Sequence, residues 1–217
     1  MRMAADELRV AFTLTYRTGL RFSELNTIEL GRIHSDDQGS AAMLILDHPP
    51  NARLKTHHSR RRIPLDILMT EDERADLDRM IEVARHNGQS MLYLCAPVGE
   101  DKAVRTALRA ATGTATTVFP LRHSTASNAL VAILWPRDLK DTSVAQIPSV
   151  DHLLLDKSQD LRGRLCGARS LGVTAPYAVS YMLGHTTPWR TLYNYAHNLE
   201  VLLAAYVKRE AQLRPAQ

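Results

Sequence analysis

The sequence predicts a mainly helical α+β fold with one small antiparallel sheet, and three observations predict it. Apolar residues recur at helical spacing over residues 4–18. Thr70-Glu71-Asp72-Glu73 is a capping box that opens a second helix, ending near Asn87-Gly88. A single apolar run over 41–47 is broken by His48-Pro49-Pro50-Asn51 and followed by two short strand-like stretches, 52–56 and 60–65, around a basic turn.

In the first helix Leu8, Ala11, Phe12 and Leu14 form the stripe, Tyr16 extends it, and Gly19 ends it. A second helix starts near Arg21 or Ser23 and is expected to reach about Ile28. Residues 91–94 are a short apolar run, strand or extended, and 101–111 fit a basic helix. Pro120 suits a first helical turn, so a helix runs from there to about Leu134, where Trp135-Pro136 stops it. Residues 136–172 are mixed in composition, although 150–155 are apolar. Helices resume near 176–183 and 189–195, and 199–213 form a last amphipathic helix.

A chain of 217 residues can bury a sizeable core as one domain or hold two small ones. Its 45% hydrophobic and 23% charged content is that of a globular protein, not a disordered one. A net charge of +4 is compatible with a polyanionic partner without requiring one. Cys95 and Cys166 form no C-x-x-C pair, which argues against a zinc site or a disulfide framework and for reduced thiols. His57-His58 has nothing nearby to complete a metal site. No apolar run has the length of a membrane span, and the early Asp6 and Glu7 do not fit a signal peptide, so a cytoplasmic location is expected.

Four short motifs carry the chemistry. Thr18-Gly19-Leu20-Arg21 leads into Glu24-Leu25, with a glycine stop, an arginine at the next helix start and a carboxylate one turn on. The basic turn runs from Arg53 through Lys55 to Arg60-Arg61-Arg62-Ile63-Pro64-Leu65. Phe119-Pro120-Leu121-Arg122-His123 is the third, and Leu183-Gly184-His185 followed by Tyr195-Ala196-His197 the fourth. In this order they resemble the catalytic domain of the tyrosine recombinases, the phage-integrase family, from about Ala4 to Tyr206.

The resemblance implies attack by a tyrosine hydroxyl on a DNA phosphate. Planar, permanently charged guanidinium groups suit the charge that develops on the non-bridging oxygens, which assigns that role to Arg21 and Arg122. Glu24 would orient Arg21. Lys55 would protonate the leaving 5′-oxygen, or else serve only as part of a solvated basic loop. Arg53, Arg60, Arg61 and Arg62 would contact the DNA backbone. His185 would donate a hydrogen bond to the phosphate or exchange a proton with the nucleophile.

Tyr195 is the expected nucleophile and Tyr193 its competitor. On a helix the two side chains leave about 200° apart, so only one faces the phosphate. Phe119 stands where the family has a histidine, and phenylalanine neither donates nor accepts a hydrogen bond. His123 follows the arginine, where its role in the family is structural. The resemblance further implies a double-stranded DNA partner, a homotetramer on DNA, and neither metal nor other cofactor. The family's N-terminal core-binding domain is not expected in this chain, and residues 136–172 read as an insertion. Three rivals remain: a type IB topoisomerase-like enzyme, a DNA-binding remnant of an integrase with weak or no activity, and an unrelated helical interaction protein.

Overall fold

A computed structural model describes residues 5–25, 28–47, 60–92, 94, 101–113, 119–136, 151–167, 171–195 and 199–213. For 101–104, 119, 171–173, 194, 195, 199, 212 and 213 it describes the backbone alone. The described residues are mostly helical, with one three-stranded antiparallel sheet. None of their helices is long and apolar enough to cross a membrane.

Helix α1 (Ala5–Thr18) buries Val10, Ala11 and Leu14 and stops at Gly19, whose φ of +66° is left-handed. A side chain there would also collide with a neighbour, since an added Cβ would lie 2.4 Å from Leu183 Cδ2. Helix α2 (Phe22–Leu25) is a single turn, shorter than expected. Ile28 instead lies outside any helix: its carbonyl accepts from Leu92 N (2.8 Å), and Glu29 bridges Met91. A long-range backbone pairing thus replaces the continued helix, and it also accounts for the short run at 91–94.

Strands β1 (Ile33–Ser35), β2 (Ala41–Leu46) and β3 (Arg61–Pro64) pair in that order. Leu44 sits opposite both Ile33 and Ile63, so the three make one buried row on the core face. The expected strand at 52–56 lies outside the described residues. Helix α3 (Leu65–Leu68) turns the chain into α4 (Glu71–His86), which opens with the capping box read from the sequence: Thr70 Oγ1 accepts from Glu73 N, and Glu73 returns the bond to Thr70 N.

Helix α5 (Asp101–Thr112) precedes α6 (Phe119–Leu134), the central element. Ala126, Ala129, Leu130, Val131, Ala132 and Ile133 of α6 are all buried, so the second half of this helix runs through the core. Helices α1, α8 (Ser158–Cys166), α9 (Leu171–Leu183), α10 (Pro188–Tyr195) and α11 (Leu199–Leu213) all pack on it. Helix α11 lays Val201, Leu202 and Ala205 against Val131 and Trp135, and Tyr206 Oη donates to Leu134 O (2.9 Å), so one face of this helix belongs to the chain's own core. The start of α9 differs from expectation: it begins at Leu171, and Pro176 is accommodated inside it.

The second half of the expected insertion is core structure. Residues 137–150 lie outside the described residues, but α7 (His152–Asp156) and α8 pack on α6, with Leu154, Leu161 and Cys166 buried. Arg162 of α8 is 2% exposed and caps the end of α6 by donating from Nε to Ile133 O (2.6 Å) and from Nη2 to Trp135 O. Asp151 caps α7 and accepts from Arg17 Nη1 (2.5 Å) and Tyr16 Oη (3.1 Å), while Arg17 Nε also donates to both Glu73 oxygens. Four helices, α1, α4, α6 and α7, are thereby joined by one part-buried polar network, which Asn128 enters through its bond to Tyr16. Burial, then the Asp151 charge, push the Tyr16 phenol up to about 12, so it stays a neutral donor.

Candidate functional site

The site forms where three chain breaks meet: the ends of α1 and α9 and the first turn of α6. Gly184, with φ +67°, ends α9. Gly184 N donates to Tyr181 O and His185 N to Ser180 O, both at 2.9 Å, which is the Schellman pattern. Leu-Gly-His is therefore a helix stop that turns the residue after glycine inward, and His185 is 6% exposed.

Arg122 joins the three breaks. It leaves α6 with 3% exposure, donates from Nη1 to Gly19 O and from Nη2 to Leu183 O, and lies 3.1 Å from His185 Nε2. A guanidinium has no lone pair to offer, so Nε2 is the acceptor and the imidazole proton sits on Nδ1. Nδ1–H then donates to Thr191 Oγ1 at 2.8 Å, from a threonine of α10 that is fully buried. Burial first, then the charges of Arg122, Arg21, Arg190 and Arg61, hold the His185 pKa down at about 3, so the ring is neutral at physiological pH.

Glu24 organises the other two arginines. Its carboxylate accepts from Arg21 N (2.7 Å) and Arg21 Nη1 (3.0 Å), and from Arg61 Nη1 (3.1 Å) and Nη2 (2.8 Å) as a fork. Burial raises the Glu24 pKa, but the Arg61 charge and the hydrogen bonds outweigh it and leave the carboxyl below its usual range. Glu24, expected to orient Arg21, contacts it and Arg61 together. Arg21 keeps about a third of its side chain exposed, 32%, beside a buried partner.

The basic-turn arginines separate by strand alternation. Arg61 points inward and is 2% exposed, which removes it from the surface contacts expected of it and makes it a core partner of Glu24. Arg62 faces out, and Arg60 is exposed and paired with Asp47 (2.9 Å). Arg53 and Lys55 lie outside the described residues. Of the two tyrosines, Tyr193 is 89% exposed, whereas only the backbone of Tyr195, at the end of α10, is described. Phe119 supplies the first residue of α6, and His123 is half-buried one position past Arg122.

An open cleft of about 270 Å³ lies beside His185, lined by that ring and by Arg60, Thr186, Tyr177 and Tyr181. Neither Arg190 nor Thr191 was expected among the site residues. Thr191 lies six residues after His185, which a turn plus the first turn of α10 can return to the ring. Arg190 is its neighbour on α10. Among the described residues no three His, Cys, Asp or Glu side chains converge to hold a metal ion. What the arrangement can do is receive an anion: four guanidiniums act on one neutral imidazole, with one carboxylate between two of them. No protein-family model, no curated protein and no solved structure matches the chain.

Proposed function

We propose that this chain is a DNA strand-transfer enzyme of the tyrosine-recombinase kind. Tyr195 Oη attacks a DNA phosphorus, the P–O5′ bond breaks, and a 3′-phosphotyrosyl link forms. The tyrosine proton passes to water, His185 holds Arg122 in place through its Nε2 lone pair, and Lys55 supplies a proton to the departing 5′-oxygen. Arg21 and Arg122 offset the charge gained by the non-bridging oxygens. Attack by a 5′-hydroxyl from another strand reverses the step, and the covalent link conserves the bond energy, so neither ATP nor a metal enters. The working assembly is a homotetramer on two duplexes, in the cytoplasm.

The observation that carries this reading is the placement of Arg122 against a buried, neutral His185, with Arg21 and Arg190 also acting on that ring, beside an open cleft. Arg21 keeps about a third of its side chain exposed and Arg190 is exposed, so these two charges stand where a phosphodiester can reach them. Phe119 favours one second reading, a DNA-binding remnant that has lost its chemistry. The discriminating experiment incubates the protein with nicked duplex DNA at low salt and looks for an adduct that survives detergent. An adduct made by wild type and Tyr193→Phe but not by Tyr195→Phe supports the enzyme. DNA binding without any adduct supports the remnant.

A further inference from the structure

A second cleft, of about 460 Å³, adjoins the reaction cleft along α9 and shares Tyr177 and Tyr181 with it. Its floor is apolar, made by Met43 and Pro64 of the sheet and Leu165 of α8, while Arg62 and Arg164 stand at its edge. Arg164 is 48% exposed and contacts Asp66 at 3.1 Å, a solvent-facing pair that a phosphate can displace. Tyr177 and Tyr181 are four residues apart on one face of α9, and both are more than half exposed, at 59% and 53%. The two clefts therefore form one trough, running from His185 and Arg60 across two aromatic rings to Arg62 and Arg164.

From this juxtaposition we infer that the trough holds a single nucleic-acid strand with unpaired bases, stacked on Tyr177 and Tyr181 and held at its phosphates by Arg62 and Arg164. The chemistry selects this occupant. The cationic edge calls for an anion, and the exposed rings and apolar floor call for flat faces. A paired duplex keeps its base faces inside the stack and offers the rings only sugar and phosphate. Arg164 also gives the segment beyond α6 a task, because α8 builds one wall of the trough from core-packed helix. The inference deepens the proposed strand transfer by naming its substrate class: DNA that is locally unpaired beside the reacting phosphate.

The test is fluorescence anisotropy with a labelled oligonucleotide presented as single strand, as a bubble within a duplex, and as plain duplex, all at one salt concentration. The proteins are wild type, the double variant Tyr177→Ala/Tyr181→Ala, its conservative counterpart Tyr177→Phe/Tyr181→Phe, and Arg164→Gln. Wild type is expected to prefer single strand and bubble. The alanine pair should weaken those two by about tenfold or more, with plain duplex changed less than about twofold, and the phenylalanine pair should retain the preference. Arg164→Gln should weaken binding and flatten its salt dependence. Equal wild-type affinity for all three DNAs, an alanine pair that binds single strand like wild type, or no binding at all would overturn the trough. The detergent-stable adduct reports separately. An adduct with no tyrosine effect removes the trough alone, and a tyrosine effect with no adduct removes strand cleavage alone.

Discussion

Replacing Arg122 with leucine tests how the site is held together. The guanidinium is 3% exposed and donates to three buried acceptors, Gly19 O, Leu183 O and His185 Nε2. Leucine fills much of the volume but leaves all three unsatisfied. An orphaned buried acceptor costs about 1–3 kcal/mol, and partial relaxation keeps the sum below the maximum, so the loss should be about 3–5 kcal/mol. A fold of this size has about 5–15 kcal/mol to lose. With a urea slope of about 2–3 kcal/mol/M, the unfolding midpoint should fall by about 1–2 M. Arg122→Lys keeps the charge without the fork and should fall between the two. His185 provides a second readout by NMR titration: with the Arg122 charge gone, its pKa should rise from about 3. A midpoint shift below about 0.3 M together with an unmoved His185 titration would refute the claim that Arg122 ties the ends of α1 and α9 to the imidazole.

Two further predictions follow from burial and charge. Leu161→Ala, in the segment that reads as an insertion, should cost about 2–5 kcal/mol in one cooperative transition, because Leu161 is fully buried; a lid outside the core would lose almost nothing. His185 has a folded pKa below its ordinary value, so the unfolded chain takes up its proton first as pH falls. Its contribution is complete above about pH 6.5 and declines toward pH 3, by at most about 1.4 kcal/mol per pH unit, as urea unfolding at a series of pH values would record. A flat stability profile through that window would show that the ring is not held neutral.

What the sequence disclosed was local, and what it concealed was long-range. The Thr70 capping box, the Gly19 stop and the apolar run of β2 are written in neighbouring residues, and they appear where expected. The overrun of α2 has the opposite origin: Ile28 is drawn into pairing with Leu92, more than sixty positions away. Residues 151–167 looked foreign for the same reason. Their polar residues solve distant problems, Asp151 by meeting Arg17 and Arg162 by capping α6. Of the residues named through the resemblance, the fold sets Arg122 beside His185 and Arg21 beside Glu24. Arg61 was misjudged because a run of three arginines reads as surface, while strand alternation turns the middle one inward onto Glu24. Thr191 belongs to the run that leads to Tyr195, but its contact with His185 appears only once α9 and α10 fold back on each other.

The central claim, that a tyrosine of α10 becomes covalently joined to DNA, is tested most directly by mapping the bond. The protein is trapped on a nicked duplex, digested with protease and nuclease, and sequenced by mass spectrometry. The account predicts a nucleotide remnant on the phenolic oxygen of Tyr195. A remnant on Tyr193, or no modified peptide from protein that demonstrably binds DNA, would contradict it.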